Sequence, residues 1–187
     1  DASIAAMAIV NRLVFLVNSA VIGFGQGFQP LCAFSFGAGK YRRVKEAFWF
    51  CVRFTTTILL VVCIGGFLVS KPVIMMFRRN DPEVIAIGTL ALRLQILTMW
   101  MNGFLTMSNM MSQSIGFGVR ATILAIARQG LFLIPILLIG THFWGLLGIQ
   151  TAQPIADLFT LLLSVIIMSG IFKELDRKEK EAESVTA

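Results

Sequence analysis

Charged side chains are scarce in this chain. They make up 14% of its 187 residues, where ordinary soluble domains carry about 25%. The hydrophobic fraction of 57%, with a mean hydropathy of +0.82, is more apolar surface than a soluble core can absorb. That shortage of charge excludes a soluble domain. Histidine occurs once, as His142 in a Gly-Thr-His-Phe-Trp-Gly segment with no cysteine or carboxylate beside it. The three cysteines, Cys32, Cys51 and Cys63, match the spacing of no zinc or redox motif and stand in apolar surroundings. No metal site is expected, and the thiols read as buried and inert. There is no HExxH, no GxSxG and no P-loop, and no second embedded carboxylate accompanies Asp157 for acid–base work. An enzyme therefore has no residue to rest on. The net charge of +6 does not argue for nucleic acid, because Lys and Arg sit in short clusters between apolar runs, where such residues set membrane orientation.

The chain opens on Asp1 rather than Met, its apolar pattern is running by Ile4, and it lacks a signal-peptide succession of basic, apolar and small-residue regions. It reads as a segment that begins inside a longer polypeptide. What it has in abundance is uncharged sequence, at Phe54–Ser70, Leu94–Val119 and Leu131–Ala156, and a membrane-spanning helix needs about 20 largely apolar residues.

The fold class expected is an all-α integral membrane protein with five spans, at about 4–36, 44–77, 82–115, 119–139 and 146–172, and a charged cytoplasmic tail at 173–187. Gly37-Ala38-Gly39 followed by Lys40, Arg42 and Arg43 marks the first helix end. Asn80-Asp81-Pro82 reads as a turn with Asp81 as N-cap and Pro82 as N1, and Gly116–Gly118 and Gly140–Gly145 divide the later helices. Several segments exceed what a perpendicular crossing needs, so tilt or projection beyond the hydrocarbon is expected. Lys40–Lys45, Arg120 and the tail put nine basic residues on one side, against Lys71, Arg78 and Arg79 on the other. The positive-inside rule makes the first side cytoplasmic, C-terminus included.

Polar groups within the spans are the candidate functional residues, since they are costly in hydrocarbon. Asn18, Gln26 and Gln29 fall on one broad face of the first helix, interleaved with Gly23, Gly25 and Gly27 and followed by Pro30. Such a segment serves either close helix packing or a bend that lines a cavity. The third helix carries Gln95, Asn102, Ser108, Asn109, Ser112 and Gln113 among five methionines, with Asn102, Asn109 and Gln113 in one stripe at intervals of seven and four. Methionine-rich surfaces recur where partners vary in shape, although polar packing between helices accounts for any single residue. Arg93, Arg128 and Asp157 are the embedded ionisable residues. Depth at about 1.5 Å per residue favours an Arg93–Asp157 pair, with Arg128 reaching Asp157 only by extending its side chain. As a pair it reads as structural rather than proton-carrying, because a nearby arginine keeps a carboxylate charged.

Ala5-Ala6-Met7-Ala8-Ile9-Val10-Asn11-Arg12, Gly23-Phe24-Gly25-Gln26-Gly27-Phe28-Gln29-Pro30, and Phe36-Gly37-Ala38-Gly39 with Arg42-Arg43-Val44 resemble the C-terminal half of multidrug and toxic compound extrusion (MATE) transporters. Ala127-Arg128-Gln129-Gly130 with Pro135, and Gly145-Leu146-Leu147-Gly148 with Ala152-Gln153-Pro154-Ile155-Ala156-Asp157, resemble that family's last two helices. The resemblance implies a twelve-helix antiporter of two six-helix lobes, exporting cationic or amphipathic drugs against a Na+ or H+ gradient across a bacterial inner membrane, with no cofactor. Its implied partners are the lipid bilayer, a missing N-terminal lobe and small-molecule drugs. Some members carry acidic residues on the helix corresponding to the third span; here that helix has amides and hydroxyls, with Glu83 at its start. On this reading Asn18, Gln26, Gln29, Asn102 and Asn109 line a cavity between lobes. A flippase for lipid-linked saccharides would need more cavity arginine and lysine for a pyrophosphate. A non-transporting membrane scaffold would spend the polar stripes on helix contacts.

Overall fold

The computed structural model describes residues 2–77 and 82–186, and among these it is helical throughout apart from short turns. Arg78, Arg79 and the Asn80–Asp81 turn lie outside the described residues. The elements in chain order are α1 (Ala2–Gly37), α2 (Tyr41–Leu68), α3 (Ser70–Phe77), α4 (Pro82–Met99), α5 (Met101–Ser114), α6 (Gly118–Ile126), a π turn (Ala127–Leu131), α7 (Leu133–Trp144) and α8 (Leu146–Thr186). The helices at Ile4–Gly37, Tyr41–Leu68, Pro82–Met99 and Leu147–Ala182 are long and apolar enough to cross a membrane, and Leu133–His142 is a shorter apolar helix.

Two helix ends show why the glycines stand where they do. After α1, Gly39 adopts φ +71°, and Lys40 N–H donates to Ser35 O at 2.9 Å. After α5, Gly116 adopts φ +85°, and Phe117 N–H donates to Ser112 O at 3.0 Å. Both are left-handed closures that satisfy carbonyls otherwise stranded at a helix end, and only glycine enters that region without steric cost.

The second span is interrupted at Val69 and the third at Trp100. Trp100 keeps helical dihedrals, φ −62° and ψ −25°, so α5 continues α4 across a single residue. α8 is the opposite case. It runs without a break from Leu146 to Thr186, about 60 Å at 1.5 Å per residue, twice the thickness of a hydrocarbon core. The segment read as a tail is its helical continuation, held down by Leu175, which is fully buried.

The core is formed by one face each of α1, α2, α4, α5 and α8, with Val10, Phe48, Leu59, Met107, Met111, Met168 and Ile171 buried together. The helices approach closely at small residues. A Cβ on Gly25 of α1 would lie 3.1 Å from Met107 Cε, and one on Gly103 of α5 would lie 2.8 Å from Thr56 Oγ1. On α7 and α8, a Cβ on Gly148 would overlap the backbone of Gly140. Such contacts draw helices together where lipid supplies no hydrophobic drive between them. Exposed apolar side chains, among them Leu16, Phe34, Phe50, Val61 and Ile166, cover the outside in a pattern suited to hydrocarbon.

At one end of the bundle Lys45 Nζ donates to Asp176 at 2.5 Å and to Glu179 at 2.6 Å, and Arg120 pairs with Glu174 at 3.1 Å. The basic loop after α1, the start of α6 and the end of α8 therefore meet on the same side.

Candidate functional site

A partly open cavity of about 800 Å³ is bordered by α1, the α4–α5 junction, α6 with the π turn and the start of α7, and α8. Helical periodicity explains the selection of side chains. On α1 the lining residues are Asn11, Val14, Phe15, Asn18 and Ile22; on α4 and α5 Gln95, Thr98, Met99, Asn102, Leu105, Thr106, Asn109 and Met110; on α8 Gln153, Asp157 and Thr160. Each set recurs at three, four and seven residues, one stripe of a helix. Because Trp100 keeps helical dihedrals between Met99 and Asn102, the α4 and α5 stripes stay in phase and face the same space.

Hydrogen bonds join the polar members across helices. Asn102 Nδ2 donates to Asn18 Oδ1 at 3.1 Å, Arg128 Nη2 donates to Asn102 Oδ1 at 2.7 Å, and Arg128 Nε donates to Asp157 Oδ1 at 3.2 Å. Gln153 Nε2 adds a second bond to Asp157 Oδ1 at 3.1 Å. A second relay runs from Gln29 Nε2 to Gln113 Oε1 at 3.3 Å, from Gln113 Nε2 to Asn109 Oδ1 at 2.5 Å, and from Asn109 Nδ2 to the Ala121 carbonyl at 2.9 Å. The first relay ties α1, α5, the π turn and α8 together; the second ties α1, α5 and α6. Gln95, buried on α4, has its Oε1 without a hydrogen-bond partner among the described residues, an acceptor left beside the cavity.

The embedded ion pair is not the one that depth favours. Arg93 turns away: its Nε donates to Ser70 Oγ at 3.0 Å, and its guanidinium lies 5.0 Å from the Phe67 ring centroid. The reason is angular. Gln95 faces the cavity, and Arg93 precedes it by two residues, about 200° around the helix, so it stands on the opposite face and fastens the α2–α3 break. Arg128 is the partner of Asp157. It sits in a π turn, closed by Phe132 N–H to Ala127 O at 3.0 Å, whose extra residue shifts the winding between α6 and α7.

Of the other predicted lining residues, Asn18, Asn102 and Asn109 border the cavity and Gln26 and Gln29 do not. Gln26 is eight residues from Asn18, about 80° off its stripe, while Gln29 shares the direction but lies about 16 Å further along the axis. Gln95, noted among the polar residues of the third helix, also belongs to the lining, and Asn11, Thr98, Thr106, Gln153 and Thr160 belong to it without having been singled out as candidates. The seven-residue interval from Asn11 to Asn18 was the available sign; the threonines had none, since threonine in a helix commonly bonds its own backbone.

The MatE family model matches residues 1–139. The chain belongs to the MatE family. Among curated relatives, it is 28% identical over 173 residues to the multidrug export protein MepA of Staphylococcus haemolyticus, covering 92% of this chain and 38% of that protein. To MepA of Staphylococcus aureus strain MSSA476 it is 29% identical over 166 residues, 89% of this chain and 36% of the relative. The chain thus spans well under half the length of these relatives. Among solved structures, the Vibrio cholerae MATE transporter VcmN in the bent form superposes with a TM-score of 0.86 at 17% identity, over 95% of this chain and 40% of that one. A MATE protein in the bent conformation gives 0.88 at 19% identity, over 96% and 40%. MatE members are transporters rather than enzymes, and the fold is that of part of a multi-pass membrane transporter.

Proposed function

We propose that this chain is the C-terminal lobe of a secondary active antiporter that exports cationic or amphipathic drugs against a Na+ or H+ gradient. In this reading it lies in a bacterial inner membrane with the end of α8 in the cytoplasm, and an N-terminal lobe of the same polypeptide closes the drug path. The observation that carries the proposal is the cavity of about 800 Å³ lined by amides and hydroxyls in an otherwise apolar bundle. Neutral polar groups beside Phe15, Met99 and Met110 suit ligands of varied shape, because amides donate and accept while methionine adapts its packing. Rocking of this lobe against its partner supplies alternating access, and the ion gradient takes the place of any cofactor.

Two features weigh against the rival readings. A lipid-linked saccharide flippase needs several cavity cations for a pyrophosphate, and among the described lining residues Arg128 is the only one, already paired with Asp157. A scaffold would bury Asn18 and Asn109 entirely in helix contacts, yet both border open space.

The test is transport by the full-length polypeptide in proteoliposomes, reading drug movement after imposing a Na+ or H+ gradient. Gradient-dependent export, reduced at least tenfold by enlarging Asn18 and Thr106 to tryptophan, is the expected result. Export that ignores both gradients, or is indifferent to both substitutions, overturns the proposal.

A further inference from the structure

Resting on the exporter reading, we infer that Arg128 is a tethered cation that occupies Asp157 until a ligand cation replaces it, making this pair a specificity-determining site for small organic monocations. Among the described lining residues Asp157 is the single carboxylate and Arg128 the single cation. A positively charged ligand entering this cavity meets one attractive charge, and that charge is already taken.

The geometry suits exchange. Asp157 is the fixed member: 3% exposed, on the continuous α8, and held by Gln153 as well as by Arg128. Arg128 is the movable one, its side chain 25% exposed against 4% for that of Asp157. The guanidinium meets the carboxylate through Nε alone, not as the two-bond fork that makes arginine–carboxylate pairs strong. Its shorter bond, 2.7 Å from Nη2, goes to Asn102, which also lines the cavity. When a ligand cation takes the carboxylate, Arg128 keeps its Nη2 partner, and the Nε–H it frees belongs to a side chain that is only partly buried, which lowers the usual cost of breaking such a pair. The π turn that carries it, Ala127–Leu131, is a winding that recurs at functional sites. A ligand lacking positive charge gains nothing at Asp157 and leaves the pair closed.

The test is equilibrium binding of tetraphenylphosphonium to the full-length protein in detergent, for the native sequence and R128Q, R128K and D157N, with the neutral probe N-phenyl-1-naphthylamine alongside. Removing the tethered cation should tighten tetraphenylphosphonium binding about tenfold or more in R128Q, while R128K stays near native and D157N loses about tenfold. The neutral probe should move less than about twofold throughout. R128Q binding that equals or falls below native, with the neutral probe still bound, overturns the inference. Should R128Q not remain monodisperse, phenylglyoxal modification of the native protein decides the matter. Saturating tetraphenylphosphonium should speed modification at Arg128, located by peptide mass, and an unchanged or slower rate overturns it. Failure of the native protein to transport would sink the exporter reading; transport with unaltered R128Q binding would sink only the exchange.

Discussion

Asn102 is the residue on which the cavity's polar relay turns, and its replacement by alanine measures what that relay contributes. It is 3% exposed, donates to Asn18 at 3.1 Å and accepts from Arg128 at 2.7 Å, so truncation removes two interhelical bonds at once. Hydrogen bonds of this kind within membranes average about 0.6 kcal/mol and reach about 1.7, and the bond to the charged guanidinium belongs at the upper end. The cavity lets water reach the groups left behind, which limits any further penalty for unpaired donors. The expected loss is about 2 kcal/mol. Gln26, exposed and without a side-chain hydrogen bond among the described residues, is the control, and Gln26→Ala should change stability by less than about 0.5 kcal/mol. The assay is reversible unfolding of the full-length protein in mixed micelles, with a double-mutant cycle between Asn18 and Asn102 expected to return about 0.6 kcal/mol. An Asn102→Ala variant as stable as Gln26→Ala would refute the relay as a stabilising device.

The assignment of the ion pair is open to the same treatment: a cycle between Arg128 and Asp157 should give a coupling of about 1–2 kcal/mol, and one between Arg93 and Asp157 less than about 0.3. Gly148→Ala should destabilise by about 2 kcal/mol or more, because its new methyl overlaps the Gly140 backbone and must part α7 from α8. Gly23→Ala, with nothing within 4 Å of the added carbon, should be neutral or slightly stabilising in a thermal-unfolding comparison. Lys45→Glu should place like charges against Asp176 and Glu179, costing about 1 kcal/mol at low salt and loosening the end of α8, so that trypsin cuts faster at Lys173 and Arg177, which already face solvent. Equal digestion of variant and native protein at 50 mM and 500 mM salt would count against the clasp.

The sequence alone carried everything that depends on composition and spacing along one helix. Scarce charge and long apolar runs required a membrane solvent, Gly39 and Gly116 marked helix ends that need a left-handed residue, and the seven-residue interval of Asn102 and Asn109 put both on the cavity face. What it could not carry was the angular relation between helices. Depth along the axis is countable residue by residue, so Arg93 and Asp157 looked like partners; the rotation of α4 about its own axis, set by its packing between α1 and α8 on one side and α2 and α3 on the other, turned Arg93 to Ser70 and left Asp157 to Arg128. Likewise Gln26 and Gln29 shared a broad face with Asn18 on paper, while the extent of the cavity along α1, fixed by where α4, α5 and α8 converge, stopped at Ile22. Local chemistry is written in one dimension, and a site built from four helices is decided by contacts between residues that the sequence holds far apart.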